Sequence, residues 1–122
     1  MPTKRSAINY ERQLAKYIEK YGFFVTRTPA SGSRSKEYKP DIIAIRRDRI
    51  LIIEVKDTDG ELYINSRQVE GLKKIREITG AIVLICKRRE CCTPEELEKT
   101  KKGNYKFIKG KNIDYFLGVG SE

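Results

Sequence analysis

The sequence predicts an α/β fold, a mixed central β-sheet flanked by helices, and three observations carry that prediction. Two stretches, about 6–21 and 66–79, place apolar residues at three- and four-residue spacings, the period of an amphipathic helix. Residues 42–45 and 50–55 are short β-branched runs of strand length, and residues 81–86 form an uninterrupted apolar run, as expected of a strand covered on both faces. With 122 residues the chain suffices for one core and is short for two, so residues 1–122 read as a single domain.

In the first helix Ala7, Tyr10, Leu14, Tyr17, Ile18 and Tyr21 form the apolar stripe, with Ser6 as N-cap and Gly22 as the stop. Glu11 falls on the edge of that stripe, aimed at the core side or reaching back to water, whereas Arg12, Lys16, Glu19 and Lys20 point away. Residues 23–28 read as a strand, and residues 29–39 as a loop rich in hydroxyls, glycine and positive charge. A turn at 57–60 leads to Leu62, Tyr63 and Ile64 and then to the second helix, with Val69, Leu72, Ile75 and Ile78 apolar. Gln68 lies near the centre of that face, placed to cap or bridge buried groups or to reach the carboxylate site. Thr93-Pro94 opens a short helix, and residues 105–108 suit a last strand.

The two runs at 42–45 and 50–55 read as a hairpin. A symmetric turn centred between Arg47 and Asp48 sets Ile45 opposite Ile50 and Asp41 opposite Glu54, whose Cβ atoms then lie about 4.5–5.5 Å apart on one face; an odd-numbered turn or a bulge would make the acids diagonal. Strand alternation points Lys56 the same way as Glu54. Bare carboxylates set into an otherwise apolar strand are costly unless paired or bound to a cation, and two facing each other call for one.

Composition narrows the chemistry. Lys and Arg number 26 against 17 Asp and Glu, a net charge of +9 that favours a polyanionic partner, nucleic acid first. There is no histidine, so Ser-His and Cys-His nucleophile pairs are excluded, and what remains is hard-cation chemistry on oxygen ligands. Three cysteines without histidine do not make a zinc spacing; Cys86 is read as a small core residue, and Cys91 and Cys92 as incidental. No apolar run approaches the roughly 20 residues of a membrane span, and the N-terminus lacks a signal-peptide core; the expected location is cytoplasmic.

Pro40-Asp41, twelve residues, then Glu54-Val55-Lys56 resembles the signature of the PD-(D/E)XK nucleases. With Glu11, Arg27, Ser31-Gly32-Ser33 and Gln68-Val69 added, residues 5–88 resemble archaeal-type Holliday junction resolvases in order and spacing. The resemblance implies a restriction-endonuclease-like core and a metal-dependent endonuclease that resolves four-way DNA junctions as a two-fold homodimer. It implies Mg²⁺, with Mn²⁺ able to substitute, held by Asp41, Glu54, the Val55 carbonyl and Glu11. Lys56 would orient the nucleophile and stabilise the phosphorane, with a general-base role as the variant. Ser33, or else Ser31, would contact the phosphate, and Arg5, Arg27, Arg34, Lys36 and Gln68 would line the DNA path. Two other readings are a nuclease of this fold acting on duplex, flap or nicked DNA, and a branched-DNA-binding module without catalysis. For the interface between copies, the second helix and residues 107–117 are the candidates.

Overall fold

The computed structural model describes residues 4–29 and 38–118, with side chains from residue 9 onward. Its centre is a six-stranded mixed sheet in the order β1 (Phe24–Arg27), β2 (Ile42–Arg46), β3 (Arg49–Lys56), β5 (Ile82–Lys87), β6 (Glu90–Cys92), β9 (Lys111–Asn112). Only β3 and β5 run parallel, and helix α2 (Ser66–Thr79) lies in the crossover between them. A second sheet, ordered β4 (Tyr63–Ile64), β8 (Tyr105–Lys106), β7 (Glu98–Lys99), was foreshadowed only in part, because two-residue strands leave no periodicity to read.

The alternation along β3 divides the molecule. Leu51 and Ile53 are packed with Leu14 and Ile18 of helix α1 (Lys4–Glu19) and with Phe116 and Leu117 of helix α3 (Ile113–Leu117). Ile52 faces the other way, into a second core with Leu62, Val69, Leu72, Ile85, Tyr105 and Phe107. Both faces are therefore covered, as the apolar run in β5 required. Glu54 and Lys56 alternate with Val55 and so emerge on the α2 side.

The hairpin register is that of a symmetric turn, with Ile45 opposite Ile50 and Ile42 opposite Ile53. α2 spans the expected residues because Asn65 caps its start, accepting from Gln68 N at 2.8 Å, and Gly80 closes it at φ +70°.

Several expectations need correction. α1 starts at Lys4, so Ser6 is inside the helix and not its cap. Ile78 is 73% exposed rather than packed, because nine residues at 100° each turn it half a revolution from Val69. In the segment 107–117, Phe107, Ile113, Phe116 and Leu117 are buried in the chain's own core, whereas Ile108 and Tyr115 are exposed. The cysteines differ most. Cys86 and Cys91 stand directly opposite across β5 and β6 and form a disulfide, with Cα atoms 4.0 Å apart, while Cys92 is buried and unpaired on the other face. The tight turn at 88–89, where Arg88 takes φ +58°, sets that pairing, and a count of cysteines could not reveal it.

Candidate active site

Asp41 sits at the open end of three strands, and its backbone and side chain serve different neighbours. Its N–H donates to the Ile53 carbonyl at 3.1 Å and its carbonyl accepts from Thr28 N at 2.9 Å. The ladder position toward Val55 is filled by the side chain, as Val55 N donates to Asp41 Oδ2 at 2.8 Å. This bond fixes the carboxylate at the strand end, on the side where Glu54 emerges.

Glu54 is the only charged side chain among the fully buried described residues. Its two oxygens are divided: Tyr38 donates its hydroxyl to Oε1, and Lys56 Nζ lies 3.3 Å from Oε2. Lys56 Nζ also donates to Gln68 Oε1 at 3.3 Å, so Gln68 does reach the carboxylate site from the α2 side. Tyr38 can approach because Gly71 on α2 leaves room, a Cβ there falling 2.8 Å from the Tyr38 Cβ. The sequence reading missed Tyr38; its nearness to Pro40-Asp41 was visible, but its partner was not.

The electrostatics are those of carboxyls pressed together. Burial first, then the neighbouring charge of Glu54, raises the Asp41 pKa to about 6. Glu11 is also raised, chiefly by burial, with the hydrogen bond from Arg27 opposing and the charge of Asp41 adding. The Tyr38 hydroxyl is pushed up by burial and by Glu54, so it serves as a donor.

Glu11 approaches from α1, on the opposite side of the sheet, and is held by Arg27 of edge strand β1, whose Nε donates to Oε2 at 2.8 Å. Asp41, Glu54, Lys56 and Gln68 are thus brought together, while Glu11 and Arg27 form an adjoining pair. Among the described residues no three acidic or cysteine side chains form a ready-made cation cluster. Ser31, Ser33, Arg34 and Lys36 lie outside the described residues, as does the side chain of Arg5.

A mixed sheet with two facing carboxylates and a lysine at one strand end, flanked by α1 and α2, is a restriction-endonuclease-like core. Residues 2–117 match the family described as archaeal Holliday junction resolvase (Hjc). The chain belongs to that family. It is 34% identical over 111 residues to the crossover junction endodeoxyribonuclease Hjc of Sulfolobus acidocaldarius, covering 86% of this chain and 78% of the relative. Similarity extends to the crossover junction endodeoxyribonuclease of Sulfolobus islandicus rod-shaped virus 1, 37% identical over 79 residues and 64% of either chain. The solved structure of Hjc from Archaeoglobus fulgidus, a Holliday junction resolvase, superposes with a TM-score of 0.77 at 29% identity, covering 91% of this chain and 99% of that one.

Proposed function

We propose that the chain is a structure-selective, metal-dependent endonuclease that resolves four-way DNA junctions by paired hydrolysis of two symmetry-related phosphodiesters. The carrying observation is the carboxylate pair: Asp41, fixed by Val55 N at 2.8 Å at the end of β2, beside the buried Glu54 and its partner Lys56.

Two neighbouring carboxylates suit Mg²⁺, which is commonly bound through one or two carboxylates plus substrate phosphates, and Mn²⁺ likewise takes carboxylate and water oxygens. Asp41 and Glu54 would hold the ion, with the Val55 carbonyl adjacent and Glu11 next in line once Arg27 turns to a DNA phosphate. When bound, the cation supplies polarisation of the scissile phosphate and a lowered pKa for a water. Lys56, anchored by Glu54 and Gln68, orients the nucleophile and stabilises negative charge gathering on the phosphorus oxygens. Arg27 holds the backbone beside it, with Ser33 or Ser31 and Arg5, Arg34 and Lys36 extending the contact. Recognition through phosphates reads shape rather than base sequence.

One copy has one such site, so paired cuts call for two copies related by a two-fold axis. The surface best suited to join them is the apolar row of Phe24, Ile45 and Ile50, side by side across β1, β2 and β3 and exposed at 69%, 44% and 37%. It lies on the α2 side at the hairpin's turn, away from the carboxylates. No helix among the described residues is long and apolar enough to cross a membrane.

The test is cleavage of an immobile four-way junction alongside linear, flap and nicked DNA with Mg²⁺. Symmetric paired nicks confined to the junction are expected. Equal cutting of linear duplex would make the chain a general nuclease, and binding without cutting would make it a binding module.

A further inference from the structure

The last third of the chain contains a basic feature that the resolvase reading leaves unused. Between residues 97 and 111 there are six lysines and one acid, Glu98. Lys99, Lys101 and Lys102 are exposed, and among the described residues none of the three ammonium groups has an ion-pair partner. By contrast, Lys106 is spent on Glu61 at 2.7 Å.

These lysines are presented by a stiff turn. Thr100 N donates to Asn104 O at 2.9 Å and Gly103 N to Thr100 O at 3.1 Å, with Gly103 at φ +93° and the Thr100 hydroxyl bonded to the Asn104 side chain. Behind the turn, Tyr105 and Phe107 are buried in the α2-side core, so the hairpin of β7 and β8 cannot swing freely. Presenting charges on a preformed turn reduces the ordering cost of binding.

The placement points toward the site. The small sheet covers the same face of the central sheet from which Glu54 and Lys56 emerge. Lys56 stands opposite Lys87 on β5, Lys87 Nζ lies 5.9 Å from the Phe107 ring centre, and Phe107 N donates to Leu62 O at 3.0 Å. On the other flank Lys73 of α2 lies over the Tyr105 ring at 5.5 Å. Lys56, Lys87 and Lys73 thus lie between the site and the turn, with Glu61 and Glu70 set among them.

We infer that the β7–β8 turn, through Lys99, Lys101 and Lys102, is a backbone-binding outrigger that grips the phosphates of a duplex arm away from the cut. The inference rests on the junction-binding reading and specifies how an arm is held. No base is read, so the contact is indifferent to sequence and sensitive to salt.

The experiment measures binding of four-way junctions in EDTA by the wild-type chain and by the variant Lys99→Gln, Lys101→Gln, Lys102→Gln, as a function of salt, with thermal unfolding confirming that the variant is folded. On long-armed junctions the variant should bind about tenfold more weakly, with a log–log salt slope shallower by about 2 to 3, at roughly 0.9 per phosphate contact. When the arms are trimmed to a few base pairs the two proteins should converge. Equal slopes on long arms, or the same loss on short arms as on long ones, would overturn the outrigger while leaving junction binding intact. Failure of the wild type to bind junctions at all would bring down the functional reading, and the outrigger with it.

Discussion

The two ends of the β2–β3 hairpin have opposite electrostatics, and each is marked by an aspartate. At the turn, Asp48 lies between Arg46 and Arg49, at 2.6 and 3.1 Å, and hydrogen bonding to Arg46 holds its pKa well below the usual carboxylate range. Arg46 also donates to the Tyr21 and Leu117 carbonyls at 2.7 and 2.9 Å, and Arg49 to the Phe116 carbonyl at 3.0 Å. The charges there are satisfied and tie three elements together. At the far end Asp41 is buried beside Glu54 and shifted the other way, to about 6. One end stabilises the fold; the other holds two carboxyls close together at a cost, the contrast on which the proposed cation site rests.

The largest expected effect separates the two aspartates directly. Asp41→Asn should lower junction cleavage by about 10³-fold or more in single-turnover assays with DNA binding retained, whereas Asp48→Asn should lower the unfolding temperature with cleavage little changed. Comparable cutting by both variants would erase the distinction.

Acidity should reveal the same contrast in the metal-free chain. A carboxyl whose pKa is raised on folding holds its proton more tightly when folded, so Asp41 costs stability as pH climbs from about 4 to about 6, by up to about 3 kcal/mol at about 1.4 per unit. Asp48, with its pKa lowered, acts in the opposite sense, and its contribution disappears as pH falls below the ordinary value of 3.8. Denaturant unfolding in EDTA should show Asp41→Asn gaining on the wild type as pH rises, and parallel curves would refute the shift.

At the turn, Arg46→Ala strands the Tyr21 and Leu117 carbonyls and should cost about 2 kcal/mol, measured by the same unfolding. The smallest effect concerns orientation. Tyr38→Phe removes the donor to Glu54 Oε1 and should slow cleavage by about fivefold, roughly 1 kcal/mol. Gly71→Ala, by displacing Tyr38, should do the same.

How much of this was legible depended on the range of the interaction. The hairpin register could be read because alternation and a symmetric turn are local properties, and α2 because Asn65 and Gly80 mark its ends. The juxtaposition of Asp41, Glu54 and Lys56 follows from that register, and Gln68 from helix phase. The capture of Glu11 by Arg27 joins a helix to an edge strand across 16 positions, and no spacing rule predicts it. The same holds for Tyr38, whose fit against Gly71 depends on how α2 crosses the sheet. The Cys86–Cys91 bridge and the small sheet escaped because strands of two or three residues have too few positions to show alternation.

The grip of Arg46 on Leu117 also constrains how the chain is made. The two residues are 71 positions apart, so during synthesis the guanidinium waits for an acceptor that is made 71 residues later. The early hairpin is thus completed by late residues. A chain halted before α3 would retain the carboxylates yet lack the clasp that steadies their strands, and would be a ready target for proteolytic quality control.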